Sequence, residues 1–508
     1  MSTLRRILLA GAGGVVLNLA HPDASWWPLA LVSLGMLWWA LDGITARAGF
    51  ALGWLFGVAF LAPHVWWAYM AVGPVPWVAL FVVEGLAFAL FAASWVHVER
   101  SGLLAERWWA QAPTFALLWV GWEQVRSMVP FGGFPWGRVA FSQLDAPVAH
   151  LAWVGGAPLV SFVTVCAAVL LAGALVAIRE RLPLHAAAGP FVAVVLLLIG
   201  FAVPLDNRAE TGTIQLGIVQ GNLPNLGLEA FAQAREVTDN HLAGTEELVE
   251  WAPDMDLLVW PENSADFDPR TDERSYDTVT AAARLAQAPL LMGANDYSAE
   301  GGRYNAGLLW SPDGGVLDQY NKQQPAPFAE YIPFREVARM FSEAVDLVHT
   351  DVVPGDEPGV IDVDVDRLER DVAVGVVICF EVAYDPVVRE SAAEGAEVLI
   401  VQTNNANFGE TAESTQQLSM SRLRAIETGR ATIQASTVGV SAVIAPDGRI
   451  LDSTGLFTAE QMYAAVPLRD TLTPAVKYGQ WWEWGFVVLP ALVLGRALML
   501  RWQERYEW

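Results

Sequence analysis

The stretch VGVVICFEVAYDP covers residues 374–386. An apolar run leads into Cys379, and Phe380 and Glu381 follow at once. A short apolar run of this kind, with helix-forming and turn residues behind it, reads as a buried strand. The chain has only two cysteines, and the other, Cys166, lies in a long apolar run. A thiol at the end of a buried strand, with an acid two residues on, is the setting of a nucleophile. No metal-binding spacing such as C-x-x-C accompanies it.

Segments on either side alternate in the same way. TIQLGIVQGN (213–222), DLLVWPEN (256–263), APLLMGAND (288–296), GVLDQYN and AEVLIVQTNNANFG (396–409) read as strands, the last running into a loop. EAFAQAREVTDNHLAGTEELVEWA, VRESAAEG and STQQLSMSRLRAIETGRA (414–431) read as helices. ASTVGVSAVIAPDGRIL reads as two strands around a P-D-G turn. Alternation with mostly buried strands predicts a layered α/β or α+β domain.

Beyond this domain the composition changes. The 508 residues are 54% hydrophobic, with 23 Trp and a mean hydropathy of +0.34. Residues 1 to about 205 are mostly apolar with few charges, and most of the 55 acidic residues fall between 206 and 480. The expected organisation is a membrane domain (1–205), a polar domain (206–480), and a last span with its tail (481–508). The net charge of -25 excludes nucleic acid as a partner and argues against electrostatic docking on anionic lipid. Contact with lipid must then be apolar.

Eight spans are expected, at 5–21, 26–42, 49–70, 76–97, 108–125, 149–178, 187–204 and 484–500. The first, behind Arg5 and Arg6, also fits a signal peptide, although no clean cleavage site follows. Placing the N-terminus in the cytoplasm puts Arg47, Arg100, Arg107, Arg179, Arg181, Arg501 and Arg505 there as well. Only Arg126 and Arg138 fall on the other side, so the polar domain is expected outside the cytoplasm. Glu84 lies within a span, either as a functional carboxylate or as an acid paired with a neighbouring helix. The loop 126–148 carries VPFGGFPWGRVAFSQ, dense in Gly, Pro and aromatics.

Two further residues stand at segment ends. Glu262 closes DLLVWPEN, and Lys322, one of two lysines, follows GVLDQYN. Sites in layered α/β folds gather at the carboxyl ends of strands. A free thiol, with a pKa of ~8.5, is only slightly ionised near neutrality, so it needs a base. Glu262 can take that proton. Lys322 and the Phe380 backbone N–H can hold the oxyanion formed when the thiolate attacks a carbonyl. Singly, each has an ordinary explanation: a solvated acid, a surface lysine, a core cysteine.

In this order and setting, the three resemble the Glu-Lys-Cys triad of the nitrilase superfamily. With the membrane segments, the whole chain resembles the bacterial apolipoprotein N-acyltransferases. VQGNLP (219–224), VWPEN (259–263), YNKQQPAPFAEYIP (320–333), ICFE (378–381), TNNANFG (403–409), SRLRAIETGR (421–430) and FGGFPW (131–136) carry the likeness. The resemblance implies an eight-span α-helical membrane domain bearing a nitrilase-like αββα sandwich in the bacterial cytoplasmic membrane. It implies a cysteine thioester formed from a phospholipid acyl donor, then transfer to the α-amine of a diacylglyceryl-cysteine lipoprotein. Glu262, Lys322 and Cys379 would be catalytic; Glu330, Glu381, Phe380, Asn405 and Phe328 would support them or bind substrate. No metal or organic cofactor is expected, and a monomer is.

The chain departs from the family pattern at Ala329, where Gly is usual, and at Thr437, where Asn is common. NLPNLGLEAF (222–231) lacks a usual Trp. An Ala at a position needing positive φ would strain the loop. After PFAEY, the residues Phe334, Val337, Met340, Phe341 and Val345 fall on one helical face, as an ordinary packed face or an apolar arm on lipid. A membrane-tethered amidase and a non-catalytic scaffold are the competing functions.

Overall fold

The computed structural model describes residues 1–104, 108–223, 235–297 and 302–506. Arg107, the start of the helix expected from residue 229, and NLPNLGLEAF from residue 224 onward lie outside these. The chain forms two compact units. One comprises Met1–Trp66, Pro74–Pro204 and Tyr478–Trp508. The other comprises Leu205–Lys477 together with Trp67–Gly73.

The first unit is helical: α1 (Thr3–Ala20), α2 (Pro28–Leu41), α3 (Ala46–His64), α4 (Trp66–Val72, passing into the second unit), α5 (Pro74–Glu99), α6 (Trp108–Arg126), α7 (Ala152–Arg179) and α8 (Pro183–Leu198). Six helices among the described residues are long and apolar enough to cross a membrane: Thr3–Ala20, Ala46–His64, Pro74–Glu99, Pro147–Arg179, Pro183–Ala202 and Pro474–Gln503. Two of the eight expected spans fall short of that standard. The 14 residues of α2 rise only about 21 Å, against a hydrocarbon core of about 30 Å. Helix α6 is long enough, but Gln111, Glu123, Gln124 and Arg126 lower its hydropathy. The run 49–70 breaks at Val65, between α3 and α4.

Small residues set the helix packing. A Cβ on Gly53 would lie 2.4 Å from Phe88 O, and one on Gly49 or Gly57 would meet Val96 or Phe88. Glycines every fourth residue thus let α3 and α5 touch backbone to backbone. Helix α1 docks on α3 in the same way: a Cβ on Gly14 would lie 2.3 Å from Phe56 O. Glu84 is buried against Arg126, 3.7 Å away, and Arg126 donates to Phe134 O at 2.8 Å. The mid-helix acid therefore has the paired reading. Arg138 is buried too, so neither arginine counted on the outer side is a solvent charge.

Among the described residues the second unit holds twelve strands: β1 (Gly212–Gln220), β2 (Leu257–Val259), β3 (Leu290–Tyr297), β4 (Arg303–Trp310), β5 (Val316–Asn321), β6 (Val360–Val365), β7 (Arg370–Ile378), β8 (Val398–Thr403), β9 (Thr432–Ser436), β10 (Ala442–Ile444), β11 (Ile450–Ser453) and β12 (Glu460–Leu468). Its helices are α9 (Glu236–Trp251), α10 (Glu273–Ala286), α11 (Arg335–Arg339), α12 (Asp385–Ala393) and α13 (Glu413–Thr428), and α14 (Pro474–Tyr506) leads on to the end of the chain. The sheets run β12-β1-β2-β3-β4-β5 and β11-β10-β9-β8-β7-β6.

One core lies between the sheets, where Ile214, Leu216 and Val259 face Val374, Val376 and Ile400. On the outer side of the first sheet, Leu248 of α9 and Val279, Ala282 and Ala283 of α10 pack on Leu258, Leu290 and Leu308. On the second, Leu418 and Ala425 of α13 pack on Ala442 and Ile444. The order is helix, sheet, sheet, helix, the expected αββα sandwich.

Candidate active site

Strand direction decides where the site forms. Strands β1, β2 and β3 run parallel, and β4 returns antiparallel. Strand β5 reverses again and so runs with β2 and β3. Glu262, just after β2, and Lys322, just after β5, therefore share one edge. In the second sheet β7, β8 and β9 are parallel, with Cys379 after β7 and Asn404–Asn405 after β8. The two edges are tied together: Gln402 Nε2 donates to Trp260 O at 2.7 Å, and the Asn404 N–H donates to Glu262 Oε2 at 2.8 Å. Gly293 of β3 makes room for Glu262, since a Cβ there would lie 2.5 Å from its Cα.

Glu262 and Lys322 are buried. Lys322 Nζ lies 3.5 Å from Glu262 Oε1 and 2.9 Å from Glu330 Oε2. Asn305, on β4, spends both amide hydrogens here, on Glu262 Oε1 at 2.7 Å and Glu330 Oε1 at 2.8 Å. Glu330 also accepts from the Ala326 N–H. Burial opposes the charge on Lys322, but Glu330 and Glu262 overcome this and hold its ammonium above the ordinary range. Burial also opposes the charge on Glu330, and Lys322 with the Ala326 N–H overcomes it and pulls the carboxyl down. Glu262 moves the other way, raised by burial and by the negative charge of Glu330 against the pull of Lys322. The two carboxyls are split: Glu330 stays an anion, while Glu262 is the one poised to accept a proton.

Cys379 is half-buried, and the charges of Glu262 and Lys322 both act on its thiol. Burial raises its thiol, Glu262 raises it further, and Lys322 opposes. The resting sulfur is therefore a neutral thiol near the Glu262 carboxyl. Its backbone has φ +52, in the left-handed region that non-glycine residues rarely enter.

Glu381 holds that turn. It is fully buried, and burial pushes its carboxyl up to about 7. Oε1 accepts from Tyr320 Oη at 2.9 Å and from the N–H groups of Gln323 and Gln324 at 2.7 and 3.0 Å. Oε2 accepts the Ile378 N–H at 2.8 Å. One carboxylate thus ties the residue before Cys379 to the two residues after Lys322. The strand ends at Ile378, and Cys379–Ala383 is a 3₁₀ turn, so an argument from strand alternation does not place this side chain. Asn305, Tyr320, Glu413 and Gln417 also belong to this region and went unmarked in the sequence. For Asn305, the available signal is a polar residue entering the apolar run of β4.

The remaining expected residues sit as follows. Phe380 is buried within the turn, its ring edge-on to Tyr384. Asn405 is buried one step behind Cys379, bonded to Glu413 and Gln417. Phe328 is 44% exposed and itself takes φ +65. Ala329 takes no positive φ, so Ala replaces Gly there without backbone strain. The Thr437 hydroxyl lies 3.4 Å from Glu262 O, on the back of the base. The expected single apolar face after PFAEY is not one helical face. Helix α11 is five residues long, and Val345 turns inward with Ile332 and Val348. Phe334, Val337, Met340 and Phe341 are exposed.

Two family signatures match the chain: "Apolipoprotein N-acyltransferase N-terminal domain" over residues 13–170 and "Carbon-nitrogen hydrolase" over residues 217–473. An apolipoprotein N-acyltransferase of Mycolicibacterium smegmatis is 36% identical, aligning over 96% of this chain and 83% of its own length. The chain belongs to the apolipoprotein N-acyltransferase family. A second member, from Azotobacter vinelandii, is 32% identical over 98% of this chain and 96% of its own. Among solved structures, an amidase from Nesterenkonia sp. covers 51% of this chain and 92% of its own, with a TM-score of 0.38 and 19% identity.

Proposed function

We propose that the chain moves an acyl group from a phospholipid to the α-amine of the diacylglyceryl-cysteine that begins a lipoprotein. The observation that carries this reading is Lys322, buried 3.5 Å from Glu262 and 2.9 Å from Glu330 and acting with Glu262 on the thiol of Cys379, in a chain that aligns nearly end to end with family members.

In the first half, Glu262 takes the Cys379 proton as the sulfur attacks the ester carbonyl of the phospholipid. Lys322 Nζ and the Phe380 N–H hold the oxyanion, and Glu330 keeps the lysine charged. The intermediate collapses to a thioester, and the lysophospholipid oxygen leaves with the proton from Glu262. In the second half, the lipoprotein amine attacks the thioester and Glu262 accepts its proton. The amide forms, and the thiolate leaves to be reprotonated. A thioester suits the task because it stays reactive toward an amine. Glu262, raised by its surroundings, serves as base and acid in turn.

The chain lies in the bacterial cytoplasmic membrane in this reading. Eight crossings, α2 and α6 included, leave both termini in the cytoplasm and the catalytic unit outside. Exposed Phe334, Val337, Met340 and Phe341 form an apolar arm that meets lipid, which an acidic surface cannot attract by charge.

Intact mass of the purified protein after incubation with a defined phospholipid tests the reading. A hydroxylamine-sensitive gain of one acyl chain is expected, absent in Cys379→Ala, followed by its delivery to a diacylglyceryl peptide. A folded protein with a reactive Cys379 that gains no acyl chain from any phospholipid sinks it, and hydrolysis of simple amides by that protein would favour the amidase.

A further inference from the structure

Behind Cys379 lies a cluster of side-chain amides and hydroxyls that the acyl-transfer chemistry above does not use. Gln417, on the second turn of α13, places Nε2 3.7 Å from Cys379 Sγ. A side-chain amide is a donor at one end and an acceptor at the other, so its effect on sulfur depends on which end faces it. Here the neighbours decide. Gln417 Oε1 accepts from Asn405 Nδ2 at 2.9 Å, which leaves Nε2 toward the thiol.

The Asn405 amide is itself fixed. Its Oδ1 accepts from the Thr403 hydroxyl at 2.9 Å and from the Ser436 hydroxyl. Ser436 Oγ accepts the Gly439 N–H at 2.8 Å, which directs its own hydrogen at Asn405. The second hydrogen on Asn405 Nδ2 goes to Glu413 Oε2 at 2.6 Å. Gly439 packs directly on this group: a Cβ there would lie 2.3 Å from Asn405 Oδ1 and 2.6 Å from Ser436 Oγ. Asn405, Glu413, Ser436 and Gln417 are all buried. Burial pushes the Glu413 carboxyl up to about 8, so it adds little negative charge near the sulfur at neutral pH.

We propose that Gln417 is a catalytic residue that donates an N–H to the Cys379 thiolate, and that Asn405, held by Thr403 and Ser436, is the positioning residue that turns the donor end toward sulfur. The proposal rests on the acyl-transfer reading for its role in turnover, but not for its effect on the thiol. Lys322 and Gln417 favour the sulfur's ionisation, while the acids Glu262 and Glu330 oppose it. A hydrogen bond exists for the anion that does not exist with equal strength for the thiol, so the donor favours ionisation. The same N–H helps the sulfur leave when the amine displaces it from the thioester.

The test is the pH dependence of Cys379 alkylation by iodoacetamide in the full-length detergent-solubilised protein, with Cys166→Ala as background. This reads the thiol without any lipid substrate. Gln417→Met keeps the shape and removes the donor. Its alkylation profile is expected to move up by about one pH unit, which is tenfold less thiolate at a fixed pH. Gln417→Glu, which brings a charge, should move it further. Thr403→Val, which leaves Gln417 and Asn405 in place but loosens the amide, should give a smaller shift in the same direction. Profiles of Gln417→Met and Thr403→Val that superimpose on the parent overturn the proposal, even if the protein transfers acyl chains. Shifted profiles in a protein that never forms a thioester uphold it while the acyl-transfer reading fails.

Discussion

Replacing Glu381 by glutamine changes one oxygen to nitrogen and should disable the site. The carboxylate accepts four hydrogen bonds, three on Oε1 and one on Oε2. Glutamine must keep its carbonyl at the three-donor position, because the reverse sets an NH₂ against three donors. Its NH₂ then opposes the Ile378 N–H. An orphaned buried N–H costs about 1–3 kcal/mol, and three bonds that change from charged to neutral acceptors lose about 1 kcal/mol each. Removing a buried negative charge offsets part of this. The offset is substantial, because burial pushes the carboxyl up to about 7 and so already opposes the charge there. A net loss of about 3 kcal/mol falls on the turn that keeps Cys379 at φ +52, a conformation with its own cost of about 1–3 kcal/mol. The turn should relax, and acyl-enzyme formation should drop about 100-fold, since each factor of ten corresponds to about 1.4 kcal/mol. Single-turnover acylation followed by mass, with thermal unfolding measured in parallel, checks both effects. Tyr320→Phe removes one donor only and should cost about 1 kcal/mol. Acylation and melting within error of the parent for Glu381→Gln, or a larger defect for Tyr320→Phe, would refute the reasoning.

Three other outcomes are expected. Asn305→Asp sets a third acceptor between Glu262 and Glu330, which traps a proton and should cut acyl-enzyme formation by roughly 10²-fold or more; a loss under threefold counts against it. Glu413 has its carboxyl moved from 4.5 to about 8 in the folded state, so there it holds a proton the unfolded chain has released. Stability should therefore fall as pH rises between those values, by at most about 1.4 kcal/mol per unit, and Glu413→Gln should flatten that slope in urea titrations; parallel slopes exclude it. Gly53→Val drives a side chain into the α5 backbone at Phe88 and should lower the melting temperature and the folded yield in detergent, whereas an unchanged melting temperature would show that α3 and α5 can part.

What could be read from the sequence followed residue rarity and apolar runs. With two lysines and two cysteines, Lys322 and Cys379 stand out where their segments end. Glu262 is legible because DLLVW can hardly be anything but a buried strand. Asn305 is one asparagine in an ordinary strand, and nothing local says that both its hydrogens go to Glu262 and Glu330. The task of Glu381 was hidden because the chain leaves the strand at Cys379. That exit needs a positive φ on a non-glycine residue, and the donors that sustain it come from Tyr320, Gln323 and Gln324, far back in the sequence. In the helical unit, WW before Pro28 lengthens the apolar run without lengthening the helix, because the proline starts α2 at its first turn. Helix α6 reads as a span until Glu123 and Arg126 are weighed. Both are buried there with partners of their own: Glu123 accepts from Trp119 Nε1 and the Val139 N–H. The apparent helical face after PFAEY fails because Phe334 takes φ +48 and stops the period before it begins.

Glu262 and Lys322 ride on one sheet and Cys379 on the other. Neither sheet, folded alone, carries a competent centre. A nascent chain with only the first sheet formed has a base and a cation but no sulfur. With only the second formed, it has a thiol without Glu262 or Lys322 beside it. Acyl-enzyme formation therefore requires the closed sandwich, and the rate at which that competence returns during refolding times the closing of the two sheets.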